Sequence, residues 1–193
     1  MKLLTIQDLL PAEEYERQRS EYRRRIIELK EHRRIAVGDF VTLVFENRDT
    51  VLFQIQEMIR AERIVAPERI REEVEMYNEQ IPRPGELSAT LLINVTDAAK
   101  IKETLDRFQG IDQGETVGME VGEHRAYGVF EQGRTKEDKI SAVHYVRFPI
   151  SEQMKQQWSR LDIPMKIFVH HSGYQASTAV PDKMRLSLLR DLE

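Results

Sequence analysis

Leu87-Ser88-Ala89-Thr90-Leu91-Leu92-Ile93-Asn94-Val95, followed at once by Thr96-Asp97, decides the fold. The nine-residue run reads as a strand, and Thr96-Asp97 as the cap of a helix over 98–108 that stops at Gly110. Strands are expected next at 116–121, 125–130 and 140–148. Gly122-Glu123 turns between the first two, and a polar loop fills 131–139. Ser151 caps a helix over 152–161, a strand follows at 165–169, and a terminal helix covers 182–192. This βαβββαβ order predicts an α+β fold in which N-terminal helices accompany an antiparallel-rich mixed sheet with helices packed on it.

Upstream, Ile81-Pro82-Arg83-Pro84-Gly85-Glu86 breaks the chain with rigid turn residues. Thr5 and Asp8 have capping-box spacing, and Pro11 suits the first turn of a second helix. That helix places Glu13, Glu14 and Glu16 early and its cations late, as the helix dipole favours. Tyr15, Tyr22, Ile26, Leu29 and Arg33 recur on it at helical spacing. Residues 35–37 and 40–45 form a hairpin around Gly38-Asp39, Asn47 or Asp49 caps a helix over 50–65, and Pro67 opens another that runs to Asn78. A single domain, 1–193, is expected: a helical arm (1–34), a hairpin with helices (35–80) and a sheet-and-helix body (86–193).

Composition narrows the chemistry. Among 193 residues, 40% are hydrophobic and 32% charged, which fits a folded domain with a charged surface. The absence of cysteine excludes disulfides, zinc fingers, thiolate-held iron–sulfur clusters and thiol catalysis. A net charge of −4 argues against binding polyanions through the chain as a whole, so nucleic acid is not an expected partner. No apolar run is long enough to span a membrane, and the opening residues lack the apolar core of a secretory signal, so cytoplasm is the expected location. No phosphate-binding glycine loop, nucleophile elbow or metalloprotease helix is present.

Three constellations remain. The first is the basic run Arg17, Arg19, Arg23, Arg24, Arg25, Lys30, Arg33 and Arg34, which is either the solvated face of a helix or a docking surface centred on Arg23, Arg24 and Arg25. The second is Gln54, Gln56, Glu57 and Arg60, polar residues on a helix with more than one apolar face. Glu57 and Arg60 are spaced to pair with each other, or the four line the floor of a pocket. The third is the histidines. Alternation places His144 with Ala142 and Val146 on the core-facing side of its strand, either as a hydrogen-bonded core residue or as a ligand or acid–base group. With Glu57, the residues His124, His144 and His171 form the candidate ligand set for iron, manganese or zinc.

Phe45-Glu46-Asn47-Arg48, Gln54-Ile55-Gln56-Glu57-Met58, Glu62-Arg63-Ile64, Tyr77-Asn78, Glu137-Asp138-Lys139 and Ser141-Ala142-Val143-His144 resemble the bacterial family called domain of unknown function 3501. The likeness covers nearly the whole chain. It departs at Val169-His170-His171-Ser172-Gly173-Tyr174, where His170 replaces an aspartate of the family pattern and Ser172 a proline. The resemblance implies no reaction. It implies a redox or oxidative-stress setting beside rubrerythrin-like diiron proteins and iron–sulfur oxidoreductases. Three roles are consistent with it: an accessory protein docking to such a partner, a His/carboxylate metal protein or metal-dependent enzyme, and a small-molecule binding protein. Without cysteines, the chain cannot hold a cluster through thiolates of its own.

Overall fold

Strand alternation in this chain serves two layers. In β2 (Val41–Glu46), Val41, Leu43 and Phe45 face one side, Thr42, Val44 and Glu46 the other, and all six are buried. A strand covered on both faces must lie inside a sheet with packing on either side. The computed structural model, which describes residues 1–131 and 140–192, shows that arrangement. Glu137-Asp138-Lys139 and most of the expected polar loop lie outside the described residues.

Among the described residues there are two sheets, and every strand pairing is antiparallel. The five-stranded sheet runs β1 (Arg34–Val37), β2, β3 (Glu86–Ile93), β7 (Val143–Pro149), β6 (Val129–Phe130). The four-stranded sheet runs β5 (His124–Tyr127), β4 (Val117–Val121), β8 (Met165–His171), β9 (Tyr174–Ala179). The α+β class expected from the sequence holds, with its antiparallel strands divided between two sheets rather than gathered in one. The divergence occurs at Gly128, where the expected strand over 125–130 leaves one sheet and enters the other. The Gly128 N–H donates to the Val117 carbonyl (2.8 Å), and a Cβ there would lie 2.5 Å from Val146 Cγ1. Only glycine allows the crossing.

The main core lies between the inner faces, with Leu43, Phe45, Leu91, Val146 and Phe148 meeting Val117, Met119, Ile167 and Val169. Met154 and Trp158 of α5 (Glu152–Trp158) and Leu188 of α6 (Asp182–Leu189) belong to the same core. α4 (Ile101–Asp106) follows a 3₁₀ turn and is shorter than the helix the sequence suggests.

α1 (Ala12–Glu31), α2 (Arg48–Glu62) and α3 (Pro67–Asn78) form a second layer. Its own cluster is small: Leu4, Val51, Ile55, Val74 and Ile81. Each such burial contributes about 1.5–3 kcal/mol, a modest sum against the entropy of ordering three helices. Polar ties therefore carry much of the assembly. Asn78 bonds both backbone groups of Leu4 (2.9 Å each), and Arg48 pairs with Asp8. Asn47 caps α2 reciprocally with Thr50, and Thr5 closes on Asp8, as the sequence predicts.

Candidate functional site

The polar residues of α2 are directed at the N-terminal segment rather than at each other. Gln56 is buried, and its amide completes both backbone bonds of Leu10: Leu10 N–H donates to Oε1 (2.6 Å) and Nε2 donates to the Leu10 carbonyl (3.4 Å). That pair lays residues 9–11 across the helix. Glu57 accepts from the Tyr15 hydroxyl (2.8 Å) and, in a fork, from Arg19 Nε (2.8 Å) and Nη2 (2.7 Å). The Arg19 bonds hold its carboxyl below the usual carboxylate range, and burial raises the Tyr15 hydroxyl. Arg60 Nε donates to Glu16 Oε2 (2.7 Å). The Glu57–Arg60 pair allowed by spacing is thus replaced by two cross-helix pairs, because α1 offers each side chain an opposite charge across the interface.

Beside these ties the helices leave a cavity of about 600 Å³. Leu9, Leu10, Ile59, Ile64, Val65 and Ile70 give it apolar walls, and Gln56, Arg60 and Arg63, with Tyr15 and the Arg60-paired Glu16, supply polar groups. Val65 is 86% exposed at its mouth. Of the four residues proposed as a pocket floor, Gln56 and Arg60 line this cavity, whereas Gln54 and Glu57 do not.

Arg63 has the unusual backbone. It follows the last turn of α2 with φ +53° and ψ +44°, in the left-handed region. Its N–H donates to the Arg60 carbonyl (3.3 Å), and Ile64 N–H donates to Ile59 (3.0 Å), which is the Schellman closure normally built on glycine. A side chain in that conformation costs about 1 kcal/mol or more. Among the described residues Arg63 has no carboxylate partner, whereas Arg60 is matched by Glu16.

The histidines lie elsewhere. His144 is a core residue of β7, on the same face as Val146 and Phe148; its Nε2 is 2.8 Å from the Ser141 carbonyl and its ring meets Phe130 edge-on. His171 ends β8. Gly173 N–H donates to its Nδ1 (3.2 Å), which leaves Nε2 to donate to the Gln109 carbonyl (3.0 Å), and the ring stacks on Phe108. His124 opens β5 opposite Val121. Among the described residues no three His, Asp or Glu side chains are placed to hold a metal ion, and Glu57 and these histidines do not converge.

A model of the family described as Protein of unknown function (DUF3501) matches residues 3–192. The chain belongs to the DUF3501 family. A crystal structure of a novel protein of unknown function from Burkholderia pseudomallei K96243 is similar to this DUF3501 chain. The two share 28% identity, each is covered over 100% of its length, and the TM-score is 0.90. No functionally curated protein matches this DUF3501 chain.

Several residues that carry the likeness to DUF3501 are the ties already described: Asn47, Arg48, Gln56, Glu57 and Asn78. Glu46, also among them, is buried and accepts from the Thr90 hydroxyl (3.0 Å). Much of that pattern therefore fixes how the helical layer sits. Tyr15, Arg19 and Glu16 were not singled out by the sequence as partners, since their contacts lie more than thirty residues away. No helix among the described residues is long and apolar enough to cross a membrane.

Proposed function

We propose that the protein is an accessory binding protein whose α1–α2–α3 cavity takes a small amphiphilic anion, such as a medium-chain carboxylate. The observation that carries this reading is Arg63. A cation occupies a left-handed position that favours glycine, at an apolar cavity, without an acidic partner among the described residues. A cavity of this size suits a small ligand, and the guanidinium supplies the forked donor a carboxylate requires. Decanoate is expected to raise the unfolding midpoint, and decanol to do so less. Arg63→Gly should unfold at a higher temperature than the parent without ligand, yet bind decanoate about 10-fold or more weakly, the range of one charge-assisted pair. Equal affinity in the two proteins would refute the reading.

A second reading rests on the outer surface of α1. Arg19 and Arg33 are tied internally, while Arg23, Arg24 and Arg25 are exposed and have no ion pair among the described residues. Arg25 lies over the Tyr22 ring at 4.8 Å. These three would dock an acidic partner, of which the iron–sulfur oxidoreductases and rubrerythrin-like proteins implied by the family resemblance are the candidates. Changing all three to glutamine, which keeps the helix propensity, should shift the melting curve only by the lost Arg25–Tyr22 contact but weaken a salt-sensitive complex in pull-downs from the native host. Undiminished partner recovery would end this reading.

A further inference from the structure

Among the described residues, three of the four sheet edges carry a device against pairing with another chain. β1 and β5 are four residues long and bear exposed arginines, Arg34 and Arg125, and β6 is two residues long. The fourth edge, β9, is six residues long, uncharged and free of proline.

The ladder shows which backbone groups of β9 are spare. His170 N–H donates to the Thr116 carbonyl (2.7 Å), so Lys166, Phe168 and His170 of β8 bond towards β4. Val180 N–H donates to the Met165 carbonyl (2.9 Å), so the alternate residues Met165, Ile167, Val169 and His171 bond towards β9. There they meet Val180, Thr178, Ala176 and Tyr174. The N–H and C=O groups of Gln175, Ser177 and Ala179 therefore point away from the sheet, and all three residues are exposed. Those groups have no hydrogen-bond partner among the described residues. The spare run is bounded at both ends. Two positions before Gln175 stands Gly173, whose N–H is taken by His171 Nδ1 (3.2 Å). Two positions after Ala179 stands Pro181, which has no N–H.

We infer that β9 is a contact between two copies of this chain, which pair these strands antiparallel about a two-fold axis at Ser177. That register sets Ser177 against the second copy's Ser177, and Gln175 against the second copy's Ala179. Every spare group is then used. A shift along the strand would leave a spare group unpaired or set a carbonyl against Pro181. The edge carries no charge by which a different partner would be selected, and around the axis no charge meets its own copy. The two four-stranded sheets then run on as one, and Arg125 on β5 guards the outer edges, so growth stops at the dimer. Backbone bonds hold the contact, so the dimer forms reversibly and is insensitive to salt.

Sedimentation velocity of the whole chain over a wide range of concentration tests the assignment, and a monomer–dimer equilibrium unaffected by salt is expected. Ser177→Pro removes an outward N–H and forfeits no bond to β8, while Ser177→Lys puts two like charges at the axis. Each should weaken dimerisation at least tenfold and leave the dilute protein unfolding near the parent's midpoint. Should Ser177→Pro itself disturb the strand and lower that midpoint, Ser177→Lys decides. Amide exchange followed by NMR gives a second readout: protection of Gln175, Ser177 and Ala179 should rise with concentration in the parent and not in Ser177→Lys. A chain monomeric at every concentration would overturn the inference. So would a dimer that survives Ser177→Lys, or one whose three outward amides exchange as they do in the monomer.

Discussion

Replacing Arg185 by methionine is expected to lower the free energy of unfolding by about 3–5 kcal/mol, the combined effect of several carbonyls losing a charged donor at about 1–3 kcal/mol each. Arg185, on α6, is only 2% exposed. Its Nε donates to the Trp158 carbonyl (2.6 Å), Nη1 to Ile163 (2.5 Å), and Nη2 to Gln157 (2.9 Å) and Arg160 (2.7 Å). Two of these acceptors are the last residues of α5, and the others lie just past it, where helical carbonyls lose their intrahelical donors. One guanidinium thus closes an entire helix end, with its charge at the negative pole of the dipole. Burial lowers its pKa, and Asp182 and Asp162 oppose that only through space. Methionine would fill the volume but take the guanidinium from all four carbonyls, leaving those of Gln157 and Arg160 only the backbone N–H groups of Arg160 and Ile163. Lysine would restore the charge without the fork, so Arg185→Lys should recover only part of the loss. The readout is built in. Trp158 is the sole tryptophan, fully buried, and its indole N–H donates to the Arg185 carbonyl (3.0 Å). Intrinsic fluorescence during urea unfolding therefore reports this corner directly. A loss below about 1 kcal/mol would show that water replaces the guanidinium without difficulty.

Helix starts were legible because caps are local. Thr5 with Asp8, Asn47 with Thr50, and Pro67 each act within one turn. The number of sheets was not legible. Alternation reports which face of a strand is buried but not which partner it meets, so residues 125–130 read as one strand although Gly128 divides them between two sheets. β9 went unread because Tyr174, Gln175, Ala176, Ser177, Thr178 and Ala179 carry little apolar bulk. It is held by its register with β8.

The site was legible to a similar depth. Polar side chains within an apolar helix drew attention to Gln56 and Arg60, and both line the cavity between the helices. Glu57 and Gln54 share that sequence pattern but not that surface. Spacing along a helix says which residues share a stripe and says nothing of the charges a neighbouring helix will offer, here Arg19 and Glu16. Arg63 carried no compositional signal, since a left-handed backbone at an arginine becomes visible only in coordinates.

Arg33 falls at helical spacing after Leu29, yet it lies beyond the end of α1 and is only 1% exposed, and its loss defines the second large effect. It pairs with Asp191, whose side chain is 5% exposed, and donates to the carbonyls of Phe45 (2.9 Å) and Glu46 (3.1 Å). The pair fastens the C-terminal 3₁₀ turn (Arg190–Leu192) to the end of β2. Arg33→Met is expected to cost about 3–5 kcal/mol near neutral pH, because Asp191 would then be a buried charge without compensation. Burial already holds the Asp191 carboxyl above its ordinary range against the pull of Arg33, and removing Arg33 would move it higher. The sign of the pH dependence follows. A carboxyl whose folded pKa lies above its unfolded value favours the folded state most where it is protonated in both states, and that advantage is lost as pH rises through the folded pKa. The deficit of Arg33→Met should therefore be smaller at about pH 5 than at about pH 8 in urea unfolding. Adding Asp191→Leu should recover much of the loss and flatten the difference, as replacement of a buried pair by apolar groups does elsewhere. An equal deficit at both pH values in the single variant would place the cost in the severed carbonyl bonds to Phe45 and Glu46 rather than in the stranded carboxylate.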